Sequence, residues 1–298
     1  HRDLHLSIRL QRQMCIRDSY LGCSQINIAV PNQMFSDKAS MYDTLFGDKA
    51  KPGPKVKEGL SDKEDEYLLS GTSTQSTERG VDAPPKRHKA KAWQYAMHGH
   101  AEQCVQKYLE LAKLPQSALK TVATPCLDDH QLSPEDFETK GKLGTDAARI
   151  VLKALFLARM NRMDILWSVN MLAKEVTRWN VACDKRLFRL ICYLNSTKDW
   201  SLTCIVGDEA KRCKLALFCD ASFAGDLKDS KSTSGAILCL VGPSTFVPIS
   251  WFCKKQGAVS HSSSEAEIIS LDAGLSLEGI PALDLWDQVV EVFDLSLI

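Results

Sequence analysis

A chain of 298 residues has room for about two domains of roughly 150 residues each. Apolar residues make up 44% of the chain and charged residues 25%, which is typical of a globular protein with a core. The formal net charge is zero, so composition excludes a globally basic nucleic-acid binder, and any anion-binding surface has to be local. No apolar run approaches the roughly 18 residues of a membrane span, and we expect no membrane contact.

The two ends of the chain differ from the rest of the sequence. The stretch Q-R-Q-M-C-I-R-D-S resembles translated sequencing-adapter sequence, and residues 1–19 are therefore interpreted as non-native. It has neither the long apolar region nor the cleavage site of a signal peptide. The last residues, D-L-S-L-I, are apolar and lack a polar tail, which is typical of a truncated sequence.

Residues 20–92 are predicted to be mostly disordered. From Gly47 to Ala92 the sequence is rich in Lys, Glu, Ser, Gly and Pro, and such a segment cannot bury enough apolar surface to offset its ordering entropy. The basic cluster K-R-H-K-A-K closes the segment. A solvated linker is the favoured interpretation, and contact with phosphate or a localisation signal is the alternative.

Residues 93–200 are predicted to form a helical region. Apolar residues recur with the period of amphipathic helices over 93–113, 144–160, 163–178 and 183–195. Their exposed faces carry five cations: Lys174, Arg178, Lys185, Arg186 and Arg189. Ordinary solvation of these side chains is the favoured interpretation, and a nucleic-acid-binding surface is the alternative. In the loop before the second helix, His130 stands beside Asp128 and Asp129, and a solvated histidine is favoured there over a metal ligand.

The eleven cysteines do not form a zinc or disulfide pattern. None stands in a C-x-x-C pair, and no Cys and His set has zinc-finger spacing. Cys192, Cys219 and Cys239 lie inside apolar runs, where a free cysteine behaves as a small hydrophobe. Reduced core thiols predict a cytoplasmic or nuclear protein that is not secreted.

After residue 200 the apolar period changes to two. Lys214–Asp220 alternates, and 235–241 and 245–252 are further β-rich runs joined by the turn G-P-S, which predicts three antiparallel strands in succession. The following stretch, H-S-S-S-E-A-E-I-I-S-L, predicts a helix. Ser262 with Glu265 fits a capping box, as does Ser264 with Glu267.

Two carboxylates in this part of the chain are candidate metal ligands. Asp220 lies at the end of an apolar strand, where it either binds a cation or only accepts hydrogen bonds from the turn. If Glu265 serves the helix cap, Glu267 is free to project toward the sheet. Two converging carboxylates form a hard-oxygen site for Mg²⁺, provided that both side chains reach one ion from the same side of the strand.

Four motifs in this order resemble the ribonuclease H domain of copia-type LTR retrotransposon polyproteins. They are F-C-D-A-S-F-A-G-D, K-S-T-S-G, I-S-W-F-C-K-K-Q and S-S-S-E-A-E-I-I-S-L. Upstream, M-N-R-M-D-I-L-W-S-V-N-M-L and L-F-R-L-I-C-Y-L-N-S-T-K-D-W resemble the family's connection between polymerase and nuclease. The resemblance covers about residues 97–290 and, weakly, the part before, so for residues 20–92 it implies a remnant of the C-terminal part of a polymerase as the alternative to disorder.

The resemblance implies an α/β fold in which the helical connection, 93–200, precedes a partial ribonuclease H-like mixed sheet with a packed helix, 201–298. It implies Mg²⁺-dependent hydrolysis of RNA in RNA–DNA hybrids by the intact parent, with the remainder of the Pol polyprotein as partner. The family's first metal-binding aspartate falls on Asp220. Its helix glutamate falls on Glu267, with Glu265 as the fallback.

The sequence also departs from the family. After Trp286 it reads D-Q-V-V-E-V-F-D-L-S-L-I, without the later acidic ligands, and the polymerase motif Y-x-D-D is absent. Asp226 and Asp229 follow the strand and are interpreted as turn formers. We therefore expect the chain as given to be inactive. The alternatives are a non-catalytic nucleic-acid-binding remnant and a structural connection module.

Overall fold

The structure is a computed structural model of the whole chain. The residues that it describes are 19–20, 22–29, 32–46, 90–127, 129–209, 212–226 and 229–293. Two predictions lie mainly outside these residues: the non-native segment 1–19 and the disordered stretch that begins at Gly47.

The described strands form one seven-stranded sheet with the order β1-β2-β3-β4-β7-β6-β5. Every neighbouring pair in it is antiparallel. In chain order the strands are β1 Ser19–Tyr20, β2 Cys23–Ile28, β3 Lys91–Ala96, β4 Leu202–Val206, β5 Lys214–Ser222, β6 Thr233–Gly242 and β7 Thr245–Lys255.

Helices cover both faces of this sheet, most of them on one face. In chain order they are α1 Asn32–Phe46, α2 His98–Ala112, α3 Pro134–Glu138, α4 Ala147–Met160, α5 Leu166–Lys174, α6 Val181–Ser196, α7 Ser263–Gly274 and α8 Ile280–Phe293. A π-helical turn, Leu275–Gly279, joins α7 to α8. No helix in the described ranges combines the length and the apolar character that a bilayer crossing requires.

The α/β prediction is confirmed, but the expectation of a mixed sheet is wrong for the described strands. A parallel neighbour requires a crossover connection of a dozen or more residues. Here β6 and β7 are joined by the tight turn at Pro243 and Ser244, and β5 pairs with β6 in the same antiparallel manner. The sheet also continues past residue 200, because β4 pairs with β3 of the preceding region.

The predicted helix 93–113 begins later than expected. Lys91–Ala96 is strand β3, which pairs with β2 on one side and β4 on the other, and α2 begins only at His98. Tertiary pairing on both sides overrides the local pattern there. Similarly, Cys23–Ile28 and Asn32–Phe46 form β2 and α1 inside the segment predicted to be mostly disordered.

The main core lies between α2, α4, α5 and α6, which we call the helical cluster. Asn180 caps α6 by accepting a hydrogen bond from the Cys183 backbone N–H at 2.9 Å. Most large apolar positions that the period marks in the three later helices are fully buried: Ile150, Leu172, Leu187, Leu190, Ile191 and Leu194. Leu155 and Val176 are only partly buried.

Cations on α6 bind the segment 116–139, which connects α2 to α4. Lys185 pairs with Asp136 at 2.6 Å, and Arg186 pairs with Asp129. The Arg189 guanidinium donates to the carbonyl oxygen of Thr124 at 2.9 Å. Three of the cations that the sequence placed on an exposed basic face therefore bind groups of the chain itself.

Helix α7 lies across β5 and β6, on the face of the sheet opposite to the helical cluster. Its residue Gly274 allows the close approach, since a Cβ added there would come within 2.5 Å of the Cys219 Sγ and 3.3 Å of the Leu217 Cδ2. Every cysteine that the structure describes is a free thiol. Burial raises the pKa of Cys104 to about 12 and that of Cys239 to about 11, which confirms their expected behaviour as core hydrophobes.

Candidate functional site

The first candidate ligand, Asp220, lies two residues before the end of β5. It pairs with Gly235 of β6, and its side chain is exposed. Among the described strands β5 is the outermost on its side of the sheet, so one edge of it has no strand neighbour there.

The N-terminus of α7 is built as the sequence predicted. Ser262 is the N-cap, and its side chain accepts from the Glu265 backbone N–H at 3.1 Å. In turn the Glu265 carboxylate accepts from the His261 backbone N–H at 2.7 Å. Glu265, the fallback ligand, is therefore engaged in capping, and Glu267 is the exposed carboxylate of the first two turns.

Ser270 attaches α7 to the strand of Asp220. Its hydroxyl donates to the main-chain oxygen of Asp220 at 2.7 Å, and it lies 3.3 Å from that of Gly235. The side chain is fully buried. Sequence reasoning missed this residue, although small residues recur every four positions along α7, at Ala266, Ser270 and Gly274, and mark the face that packs closely on the sheet.

Glu267 lies one turn before Ser270, on the side of the sheet that α7 covers. Burial raises the pKa of the Cys219 thiol, and the nearby charge of Glu267 raises it further. This places the Glu267 carboxylate in the neighbourhood of Cys219, whose Sγ also faces Gly274.

The side chain of Asp220 projects from the face of β5 that α7 does not cover. Successive side chains of a strand alternate between faces, so Asp220 points away from the side that Cys219 shares with α7. The ladder agrees with this, because Asp220 pairs with Gly235 and Gly235 with Cys253, which packs against the helical cluster. The structure thus brings α7 onto the main chain of Asp220 without bringing the two carboxylates together on one face.

A cavity of about 290 Å³ lies beside Asp220, between the sheet and α5. Phe218, Trp167 and Asp164 also line it. Asp164 is held by Arg162, which is only 3% exposed and donates to it at 2.7 Å, and by the hydroxyl of Tyr193 at 2.9 Å. Because Arg162 already balances its charge, Asp164 is a weak candidate for sharing a cation with Asp220.

The loop after β5 is held by a lysine of the K-K-Q motif. Lys255 pairs with Asp226 and with Asp229, the latter at 2.7 Å. The hydrogen bond from Lys255 lowers the pKa of Asp229. In addition, the Lys231 backbone N–H donates to Asp229 at 3.2 Å, as expected of a turn former.

Gln256, the last residue of the same motif, ties β6 and β7 to α7. Its side-chain amide donates to the Ser234 Oγ at 3.0 Å and to the Ala266 carbonyl oxygen at 2.9 Å. The Ser260 hydroxyl donates back to it at 2.9 Å. The motifs K-S-T-S-G and K-K-Q therefore supply the contacts that position the loop and the helix around Asp220.

The described ranges contain no group of three or more His, Cys, Asp or Glu side chains that could bind a metal ion. Asp220 and Glu267 are hard-oxygen donors of the kind that Mg²⁺ prefers. Their chemistry suits the ion, whereas the strand pleat separates their side chains.

Comparison with known proteins gives two similar transposon polyproteins. Over 224 residues, covering 70% of this chain, it is 30% identical to the retrovirus-related Pol polyprotein from transposon RE2 of Arabidopsis thaliana. Over 161 residues, covering 54% of the chain, it is 33% identical to that from transposon RE1 of the same plant. The chain is related to retrovirus-related Pol polyproteins. It spans only 14% and 10% of the length of these two relatives.

A third relative of this Pol-related chain is much shorter. Over 122 residues the chain is 32% identical to the secreted RxLR effector protein 161 of Plasmopara viticola and covers 78% of it. With more than two thirds of that protein matched, the two belong to one family. No protein-family model matches the chain, and neither does any solved structure.

Proposed function

We propose that this chain is the connection and ribonuclease H portion of a copia-type retrotransposon Pol polyprotein, and that the intact polyprotein hydrolyses the RNA strand of RNA–DNA hybrids with Mg²⁺. The observation that carries the proposal is the unit in which β5, β6 and β7 follow in succession and α7 returns across β5, fastened by Ser270 to the main chain of Asp220. The similarity to two transposon polyproteins supports it.

Asp220 and Glu267 are the residues proposed to hold Mg²⁺. Asp220 projects from one face of β5 and Glu267 lies on α7 over the other face, so a shared ion would have to lie beside the edge of β5, the outermost described strand on its side. Two carboxylates bind Mg²⁺ weakly because the ion keeps most of its water. We therefore expect weak binding by this chain alone and no measurable cleavage without further ligands from the polyprotein.

The chain's own residues position this unit. Lys255 holds the loop after Asp220 through Asp226 and Asp229, and Gln256 and Ser270 hold α7 against the sheet. A hybrid substrate would be recognised by its shape, its backbone and its 2′-hydroxyls rather than by base sequence.

Titration of the chain with Mg²⁺, followed by calorimetry, tests the proposed ligands. We expect Asp220→Asn and Glu267→Gln each to abolish the weak binding of the wild type. Asp272→Asn is the matched control, because Asp272 is an exposed acid on the same helix α7. Equal Mg²⁺ binding by the wild type, Asp220→Asn and Asp272→Asn would contradict the assignment of Asp220.

A structural or binding role without catalysis is the second candidate, and the continuous sheet from β2 to β7 across residue 200 favours it. Fluorescence anisotropy with a labelled RNA–DNA hybrid, at low and high salt, separates the candidates. Salt-sensitive binding without cleavage in Mg²⁺ supports a binding module. Cleavage that Asp220→Asn abolishes supports the nuclease, and the absence of both binding and cleavage leaves a structural connection.

A further inference from the structure

A second cavity opens within the sheet, where β4 and β7 separate. The two strands share one ladder pair, Ile205 with Phe246. Two residues further along β7 stands Pro248, which has no backbone N–H to continue the ladder. On its other side β7 has a register shift opposite Leu238 and Cys239. The proline and this irregularity explain why the strands do not close together.

The cavity has the size of a small-molecule site. Its volume is about 640 Å³, within the roughly 300–1,000 Å³ usual for ligand pockets. The strand side is formed by β2, β3, β4 and β7, and the helix side by the last turn of α4 with Arg159 and Met160. Neither Asp220 nor Glu267 lines it, so it is distinct from the proposed metal site.

The wall carries aromatic side chains, and the ring of one of them, Trp251, is anchored by a hydrogen bond. The indole N–H of Trp251 donates to the Ala158 carbonyl oxygen at 3.0 Å, which anchors that ring to α4. Tyr95 lies near the end of β3, and its backbone is held in the sheet opposite Gln25 of β2 and Leu202 of β4. Its main-chain oxygen accepts from the buried side chain of Asn161. A fixed aromatic face favours stacking with a planar ring, because little side-chain entropy is lost on binding.

Among the described residues that line the cavity, Arg159 alone is charged. Its side chain is exposed, and it has no ion pair among the described residues. The wall also contains the thiols of Cys23 and Cys204. Burial raises the pKa of both, that of Cys204 to about 11. The described residues of the wall therefore carry no negative charge at neutral pH, and the one cation among them is available to an anion.

We propose that this cavity binds a planar aromatic ring that carries an anionic group, the chemistry of a nucleotide. The ring occupies the space beside Tyr95 and Trp251, and the phosphate pairs with the guanidinium of Arg159. The ligand is either a free mononucleotide or an unpaired nucleotide of a strand. This inference does not depend on the nuclease proposal, because the binding needs neither Mg²⁺ nor Asp220.

Equilibrium binding of a fluorescent adenosine monophosphate to the full chain, without Mg²⁺, tests the proposal. Arg159→Gln is expected to weaken binding about tenfold, the usual effect of losing a charge-assisted hydrogen bond. Arg149→Gln is the matched control, since Arg149 is an exposed arginine of the same helix and lies outside the cavity. Thermal melting of both variants checks that the fold is retained.

Three competitors identify the chemistry and the source of the ligand. Unlabelled adenosine monophosphate should displace the probe, whereas adenosine and ribose 5-phosphate, which lack one half of the ligand, should displace it poorly. Displacement by a short single strand that equals or exceeds that by the mononucleotide assigns the site to a strand, and the reverse assigns it to free nucleotides. Probe binding that Arg159→Gln leaves unchanged, or no binding at millimolar nucleotide, would overturn the proposal.

Discussion

The helical cluster and the α7–α8 segment are both rich in large apolar residues but bury them to very different extents. In the cluster, Leu187, Leu190 and Ile191 are fully buried. In the α7–α8 segment, by contrast, Leu271 is 47% exposed and Leu285 is 61% exposed. Both regions have the sequence of core helices, and only one of them has a core in the described part of the chain.

The difference arises from the number of surfaces that meet each helix. Helix α6 contacts α2, α3 and α5, so most of its circumference is enclosed. Helix α7 contacts β5 and β6 through its small residues, and its large apolar side chains project outward. An amphipathic pattern therefore predicts a face that requires burial, but which surface covers that face depends on the tertiary neighbours.

The largest contrast between the two regions is expected for leucine truncation. Leu190→Ala should lower the free energy of unfolding by about 2–5 kcal/mol, because it leaves a cavity in a close-packed interior. Leu285→Ala, at 61% exposure, should change it by less than about 0.5 kcal/mol. Urea unfolding followed by circular dichroism measures both. Equal losses would mean that α8 has a buried partner in solution.

Arg162→Ala probes the polar centre of the helical cluster. Arg162 donates to Asp164, to the Thr197 carbonyl oxygen at 2.8 Å and to the Thr197 hydroxyl at 2.7 Å. Its removal leaves these acceptors without the Arg162 donor, and we expect the free energy of unfolding to fall by about 2–4 kcal/mol. Arg178→Ala is the control, since the Arg178 side chain is 76% exposed and should contribute within about 0–1 kcal/mol. Urea midpoints that move equally would contradict the assigned role of Arg162.

Ser270→Ala tests how α7 is attached to the sheet. The variant removes one hydrogen bond to the Asp220 main-chain oxygen, so stability should fall by about 1 kcal/mol. Hydrogen exchange of the α7 amides should accelerate, while exchange in α6 should remain as in the wild type. Ser276→Ala, on the exposed π-turn, is the matched control. Unchanged exchange in α7 would show that the small-residue packing alone holds the helix.

The smallest effect is expected from the pair between the half-exposed Lys185 and Asp136. The hydrogen bond from Lys185 lowers the pKa of Asp136 in the folded chain. Because the folded pKa is the lower one, the pair stabilises the fold above the ordinary aspartate pKa of about 4 and this contribution is lost as the pH falls below it. Urea midpoints between about pH 7 and pH 3 should fall less in Asp136→Asn than in the wild type. Parallel pH profiles would contradict the assignment.

The α/β class, the helices of the cluster, the succession of β5, β6 and β7, and the cap of α7 at Ser262 could all be predicted from the sequence. These features depend on local periodicity and on side chains within a few residues of one another. The free buried thiols followed in the same way from their apolar neighbours.

The folded structure was needed to show that Lys91–Ala96 is a strand, that the sheet is antiparallel throughout its described strands, and that cations of α6 bind the segment 116–139. It also decided that Asp220 and Glu267 lie on opposite faces of β5. Spacing along the chain gives each carboxylate a place on its own element, but the face of the strand on which the helix packs is set by long-range contacts, here the close approach of Gly274 to Cys219.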